Sequence, residues 1–118
     1  MNDFDLIMER TKDALSVAGQ KAGEFVEISK LRLHASKLKS RINNRYQRIG
    51  KLYFDQKELG ISCEEKIEDA CTEVYALKLE LEWTLEKLDE AQDTRHCPHC
   101  GQFNPSAASY CNRCSKKL

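Results

Sequence analysis

The chain has 118 residues, 32% charged and 8% aromatic, with 19 basic and 19 acidic side chains and no net charge. That balance excludes capture by nucleic acid or an anionic membrane through net charge alone, and it suits long solvated helices better than a thick globular core. No apolar run approaches the length of a membrane span and no signal-peptide core is present, so neither a spanning segment nor secretion is expected.

Residues 1–23 are expected to form an N-terminal amphipathic helix. Phe4, Ile7, Thr11, Ala14, Ala18 and then Phe25 recur at steps of three and four, and Asn2 or Asp3 suits the cap position. Gly19 and Gly23 each cost about 1 kcal/mol relative to alanine inside a helix. The apolar stripe also changes phase on reaching Ile28, so a bend is expected near these glycines.

Residues 24–94 read as an antiparallel coiled-coil helical hairpin. Ile28, Ala35, Ile42 and Ile49 repeat in one core position of a heptad, and Leu31, Leu38, Arg45 and Leu52 in the other. The pattern breaks over Asp55–Ile61, which places the turn near 57–61, and Ser62 with Glu65 has capping-box spacing for a second helix. That helix repeats Ile67, Val74, Leu81 and Leu88 with Ala70, Leu77, Thr84 and Ala91. Folding the chain about Leu59–Gly60 sets Leu52 against Ile67, Arg45 against Val74, Leu38 against Leu81 and Ile28 against Ala91. The intervening core pairs fall into the same register. Charge agrees independently: Ser29–Tyr53 holds eight basic residues and no acid, whereas the returning helix is rich in Glu and Asp. Flanking charges of opposite sign select partner and orientation, although each exposed pair contributes well under about 1 kcal/mol.

Tyr75, Leu79 and Trp83 lie four residues apart and off this seam. An exposed apolar stripe marks a contact. The first expectation is the N-terminal helix folded back to make a three-helix bundle, and the second is self-association or a partner groove.

Residues 95–118 hold Cys97-Pro98-His99-Cys100 and Cys111-Asn112-Arg113-Cys114. Two such pairs facing each other make a tetrahedral thiolate cage of the kind a structural zinc ion prefers, with iron or two disulfides as the alternatives. Four thiolates leave no open coordination position, so one Zn2+ held by Cys97, Cys100, Cys111 and Cys114 would be structural. Six cysteines, four of them paired this way, point to metal in a reducing compartment, hence the cytoplasm. Phe103 and Tyr110 are expected to pack over the cage. His96 and His99 flank the first pair and are either substitute ligands or bystanders, and His34 is expected to be exposed. Cys63, in the first turn of the second helix, reads as a free thiol on which a redox switch could rest, and Cys71 as a small buried apolar residue.

The tail from Cys97 to Leu118 carries Cys-Pro-His-Cys-Gly, Asn104-Pro105, an aromatic before Cys111 and a closing Lys-Leu. It resembles the small zinc-ribbon module found at an end of many bacterial proteins, and the layout is similar to bacterial zinc-ribbon-domain proteins with a helical front half. The resemblance implies a zinc-bound β-hairpin with the four cysteines as ligands, in a module that docks or stabilises. Ser115 departs from it, standing where the pattern usually has glycine in a left-handed conformation. A somewhat distorted second knuckle is therefore expected.

The expected fold is thus mainly α, with a hairpin, an additional N-terminal helix and a β-type ribbon. No phosphate loop, nucleophile motif or open metal site is evident. The first functional expectation is a non-enzymatic, zinc-binding adaptor that docks to a protein partner. The second is a transcription-associated regulator or RNA binder using the hairpin and the basic residues Arg95, Arg113, Lys116 and Lys117. A hairpin beside a four-cysteine module is similar in architecture to bacterial regulators that enter the RNA polymerase secondary channel, but this tip offers only Asp55 and Glu58 as acids.

Overall fold

The computed structural model describes residues 3–118, with side chains from residue 23 onward. Two long helices, α1 (Asp3–Leu59) and α2 (Glu64–Gln92), pack together and are followed by two short strands, β1 (Thr94–His96) and β2 (Phe103–Pro105). The strands pair antiparallel, with Thr94 opposite Pro105, Arg95 opposite Asn104 and His96 opposite Phe103.

The heptads do what their spacing predicts. Leu38, Ile42, Val74 and Leu77 form one buried cluster, flanked by Ile49 and Leu81. Ala35, Leu85 and Leu88 form a second, joined by Ile28, Leu31 and Phe103. Polar pairs also cross between the helices: Arg45 Nε bonds Glu73 Oε2, one residue from this register, and His34 reaches along the rod to place Nε2 2.9 Å from Glu80 Oε1. Arg45, the one polar residue on the α1 seam, thus turns its charged end sideways to an acid at the rim.

The turn differs in detail. The helix continues to Leu59 and ends on Gly60, whose positive φ of 65° lets its amide reach Gln56 O at 3.1 Å. No Ser62 capping box forms: Cys63 is the N-cap of α2 and supplies no side-chain cap bond. Gln56 reaches across the turn instead, its Oε1 accepting from Cys63 N at 2.9 Å. A cap from the facing helix ties the two arms together, which a local box would not.

The bend expected at Gly19 and Gly23 is absent. α1 is one helix from Asp3 to Leu59. At 1.5 Å per residue its 57 residues span about 85 Å, and the longest dimension of the molecule is 87 Å, so the helix does not double back. Two glycines lower helix propensity without removing a backbone donor or acceptor, and continuing an established helix is cheaper than starting a new one. Nor does any described residue come within 4 Å of where a Gly23 Cβ would stand. The boundary at residue 23 is therefore not marked by a change of secondary structure. The stripe over Phe4–Ala18 and the cap at Asn2 or Asp3 lie outside the described side chains. Tyr75, Leu79 and Trp83 are 73%, 74% and 55% exposed, so no described residue covers them as a bundle would.

Candidate metal centre

The cage is built from two copies of one backbone device. In the first knuckle, Gly101 N donates to Cys97 O at 2.8 Å and Cys97 N donates to Gln102 O at 2.8 Å. In the second, Ser115 N donates to Cys111 O at 3.0 Å and Cys111 N to Lys116 O at 2.8 Å. The residue closing each turn has positive φ, 77° at Gly101 and 64° at Ser115. Serine therefore adopts the left-handed conformation that glycine takes for free, and the second knuckle matches the first hydrogen bond for hydrogen bond. The expected distortion is confined to this backbone strain, about 1–2 kcal/mol.

Each turn aims amides at the first sulfur of its pair. His99 N lies 3.4 Å from Cys97 Sγ, and Arg113 N and Cys114 N lie 3.4 and 3.5 Å from Cys111 Sγ. The four sulfurs of Cys97, Cys100, Cys111 and Cys114 all fall within 4.8 Å of one another, an arrangement able to hold a metal ion. Cys97 and Cys114 are 3.5 Å apart, Cys100 and Cys111 3.6 Å. Sulfurs placed about 2.3 Å from a central ion at tetrahedral corners would be about 3.8 Å apart. The donor set and its spacing thus fit a tetrahedral ion, whereas no pair is close enough for a disulfide, and all six cysteines are free.

Thiol acidity reflects the same design. The Cys114 amide, opposed by burial but helped by Arg113 and Asn104, brings Cys111 down to about 6. The Cys100 amide likewise lowers Cys97. The Lys116 amide pulls Cys114 down, but burial and the surrounding sulfurs outweigh it and push that thiol up to about 11. The first sulfur of each knuckle is thus shifted toward the thiolate, and a cation at the centre would draw Cys114 the same way.

Three residues that the sequence reading left without a role hold the ribbon together and onto the rod. Asn104, 1% exposed, donates to Gln102 O at 3.0 Å and accepts from Asn112 N at 2.9 Å, joining the two knuckles. Asp89, near the end of α2, accepts from Thr94 Oγ1 at 2.8 Å and from His96 N at 3.1 Å, and its Oδ2 also bonds His96 Nδ1. Glu82 Oε1 takes the other ring nitrogen of His96 at 2.8 Å. Burial disfavours the His96 cation, but hydrogen bonds to Asp89 and then Glu82 outweigh it, so the imidazole pKa is raised. His96 is therefore neither a ligand nor a bystander; it clasps the ribbon to α2. No spacing signalled this contact, because α2 ends at Gln92 and His96 lies on β1.

Phe103 has a further role. It packs into the Ala35–Leu85–Leu88 cluster with His96 edge-on at 6.5 Å, fixing the ribbon to the hairpin. Tyr110 is 63% exposed. Cys71 is half-buried and Cys63 sits at the α2 cap, both remote in sequence from the cage. Arg95, Arg113, Lys116 and Lys117 are all exposed on the ribbon. Among the described residues no helix is long and apolar enough to cross a membrane.

A family model described as a domain of unknown function (DUF7577) matches residues 93–118, the segment that carries the cage. No curated protein and no solved structure matches the chain. The match assigns no activity, so the likeness to a zinc ribbon stands on the geometry of the four sulfurs.

Proposed function

We propose that the chain is a non-enzymatic adaptor, a helical rod whose end carries one structural Zn2+ on Cys97, Cys100, Cys111 and Cys114, and that it docks to a protein partner. The observation that carries the reading is the pairing of a four-sulfur cage with a clasp that fixes its orientation on the rod. Zinc is the ion for this site because four thiolates at tetrahedral spacing select zinc or iron, and zinc fills the position without redox chemistry. A metal held by four thiolates has no position for substrate, which supports a structural role over a catalytic one. Its contribution, about 10–16 kcal/mol in small finger peptides, is the folding energy of a module too small to bury a core.

The docking surface is the exposed apolar surface of α2 at Leu79 and at Trp83, which lines an open cavity with Leu31 of α1 and Lys87. Native mass spectrometry tests the metal, with one zinc per chain expected and none after cysteine-to-serine change at Cys111. Affinity capture tests the docking: a partner retained by the wild type should be lost with Leu79→Glu or Trp83→Glu. Capture of the same proteins by both forms removes this surface from the proposal.

The second reading, an RNA- or polymerase-binding regulator, draws on the exposed Arg95, Arg113, Lys116 and Lys117. Titration with RNA and DNA at two salt concentrations decides between them, since phosphate contacts weaken steeply with salt.

A further inference from the structure

The two cysteine turns, over 97–102 and 111–116, match in their own hydrogen bonds but differ at the residue after the first cysteine. In the first turn that residue is Pro98, which has no N–H. In the second it is Asn112, whose N–H donates to Asn104 Oδ1 at 2.9 Å. Asn104 lies on β2, outside both turns. Its own amide group donates to Gln102 O at 3.0 Å, the same carbonyl that accepts from Cys97 N at 2.8 Å. Three hydrogen bonds therefore run in series from the Cys97 amide, through Gln102 O and the Asn104 side chain, to the amide next to Cys111.

Nothing else does this. Among the described residues no backbone hydrogen bond joins the first turn to the second, so Asn104 is the polar link between them apart from the sulfurs themselves. It is 1% exposed, hence solvent does not compete for its bonds and would not relieve a lost one. Donor and acceptor sit on one planar amide, which fixes both the distance and the angle between the groups it joins.

We infer that Asn104 is a positioning residue for the metal: it sets the spacing between the two cysteine pairs and makes the cage select an ion of zinc size over a larger thiolate-seeking ion such as cadmium. The inference rests on the metal centre proposed above and adds what decides which ion that centre keeps. Cys97 with Cys114, and Cys100 with Cys111, face each other from opposite turns at 3.5 and 3.6 Å. That is slightly inside the spacing of about 3.8 Å in a zinc tetrahedron, so zinc enters with little movement. A larger ion must push the sulfurs of one turn away from those of the other. The hydrogen bonds within each turn move with it, and the stretch falls on the bridge through Asn104. Groups that orient ligands tune a metal site in this way without touching the ion.

A residue that merely holds the ribbon together predicts something else. Lost folding energy weakens every ion by the same factor, because binding and folding are one process in such a module. A lost spacer weakens most the ion whose spacing it held.

Chelator competition on the full chain, with Zn2+ and Cd2+ in turn, separates the two roles. Asn104→Ala should hold zinc about 10–100-fold more weakly and cadmium by a smaller factor, so that the preference between the ions moves toward cadmium. Asn112→Pro removes the other end of the bridge while asking the second turn only for the backbone that Cys97-Pro98 already adopts, and should move the preference the same way. If Asn104→Ala holds no ion at all, the two affinities of Asn112→Pro decide. Equal losses for the two ions, or zinc affinity unchanged in Asn104→Ala, overturn the inference and leave the metal centre standing. A wild type that holds neither ion overturns both.

Discussion

Replacing Asp89 with alanine separates two things the fold joins, the integrity of the ribbon and its attachment to the rod. The Asp89 carboxylate is the acceptor for Thr94 Oγ1, His96 N and His96 Nδ1, and its side chain is only 17% exposed. Leaving a largely buried donor without an acceptor costs about 1–3 kcal/mol. Two such donors remain on His96, and some water can reach them, so the total loss is about 2–4 kcal/mol. Phe103 still packs against Leu85 and Leu88, an anchor of about 1.5–3 kcal/mol if its ring were fully buried. The proposed zinc would contribute far more, about 10–16 kcal/mol in isolated fingers, so the cage should survive the change. The expected phenotype of Asp89→Ala is a folded, zinc-loaded ribbon that detaches from the rod for a measurable fraction of the time. Nitrogen-15 relaxation reads this directly: ribbon amides should tumble faster than those of α1 and α2, and Phe103→Ala added to Asp89→Ala should widen the gap. Ribbon and helix amides relaxing together in the double variant, or loss of zinc in Asp89→Ala, would refute the reasoning.

Other changes probe separate layers of the molecule. Leu38→Ala opens a cavity in the best-buried part of the seam and should lower stability by about 2–5 kcal/mol in urea unfolding followed by helical circular dichroism. Arg45→Leu exchanges a rim ion pair worth under about 1 kcal/mol for apolar seam contact worth about 1.5–3, so the melting temperature should rise. Ser115→Gly removes the left-handed strain at the second knuckle and, after the greater flexibility of unfolded glycine is counted, should stabilise the ribbon by about 0.5–1 kcal/mol. Competition with a zinc chelator measures that as tighter retention. Cys111→Ser should release zinc and unfold residues 95–118 while leaving the helical signal intact, because the hairpin core, apart from Phe103, lies outside the ribbon.

Much of this architecture could be read from residue spacing. Leu38, Leu81, Ile42 and Leu77 announce their partners because a seven-residue repeat places them on one side of each helix, and opposite charge on the two arms picks the antiparallel pairing. The cage was legible for a similar reason: two residues between cysteines is the span over which a backbone turn points both sulfurs inward. Ser115 betrayed its left-handed backbone by standing where the turn demands it. Reasoning from spacing failed at Gly19 and Gly23, where a propensity cost was taken for a break. It failed again at Ser62, where Gln56 from the facing helix does the capping.

What the amino-acid order determined alone is therefore what repeats or turns locally: the two helices, their register about Gly60 and the four converging thiols. Tertiary structure alone decided where the ribbon sits and which way it faces. Leu85, Asp89, His96, Phe103 and Asn104 are single residues without a repeat, and their roles arise when the end of α2, the first strand and the second meet in space. A periodic pattern writes its partner into the chain many times over, while a docking contact of a few side chains is written once, and only its three-dimensional neighbours reveal it.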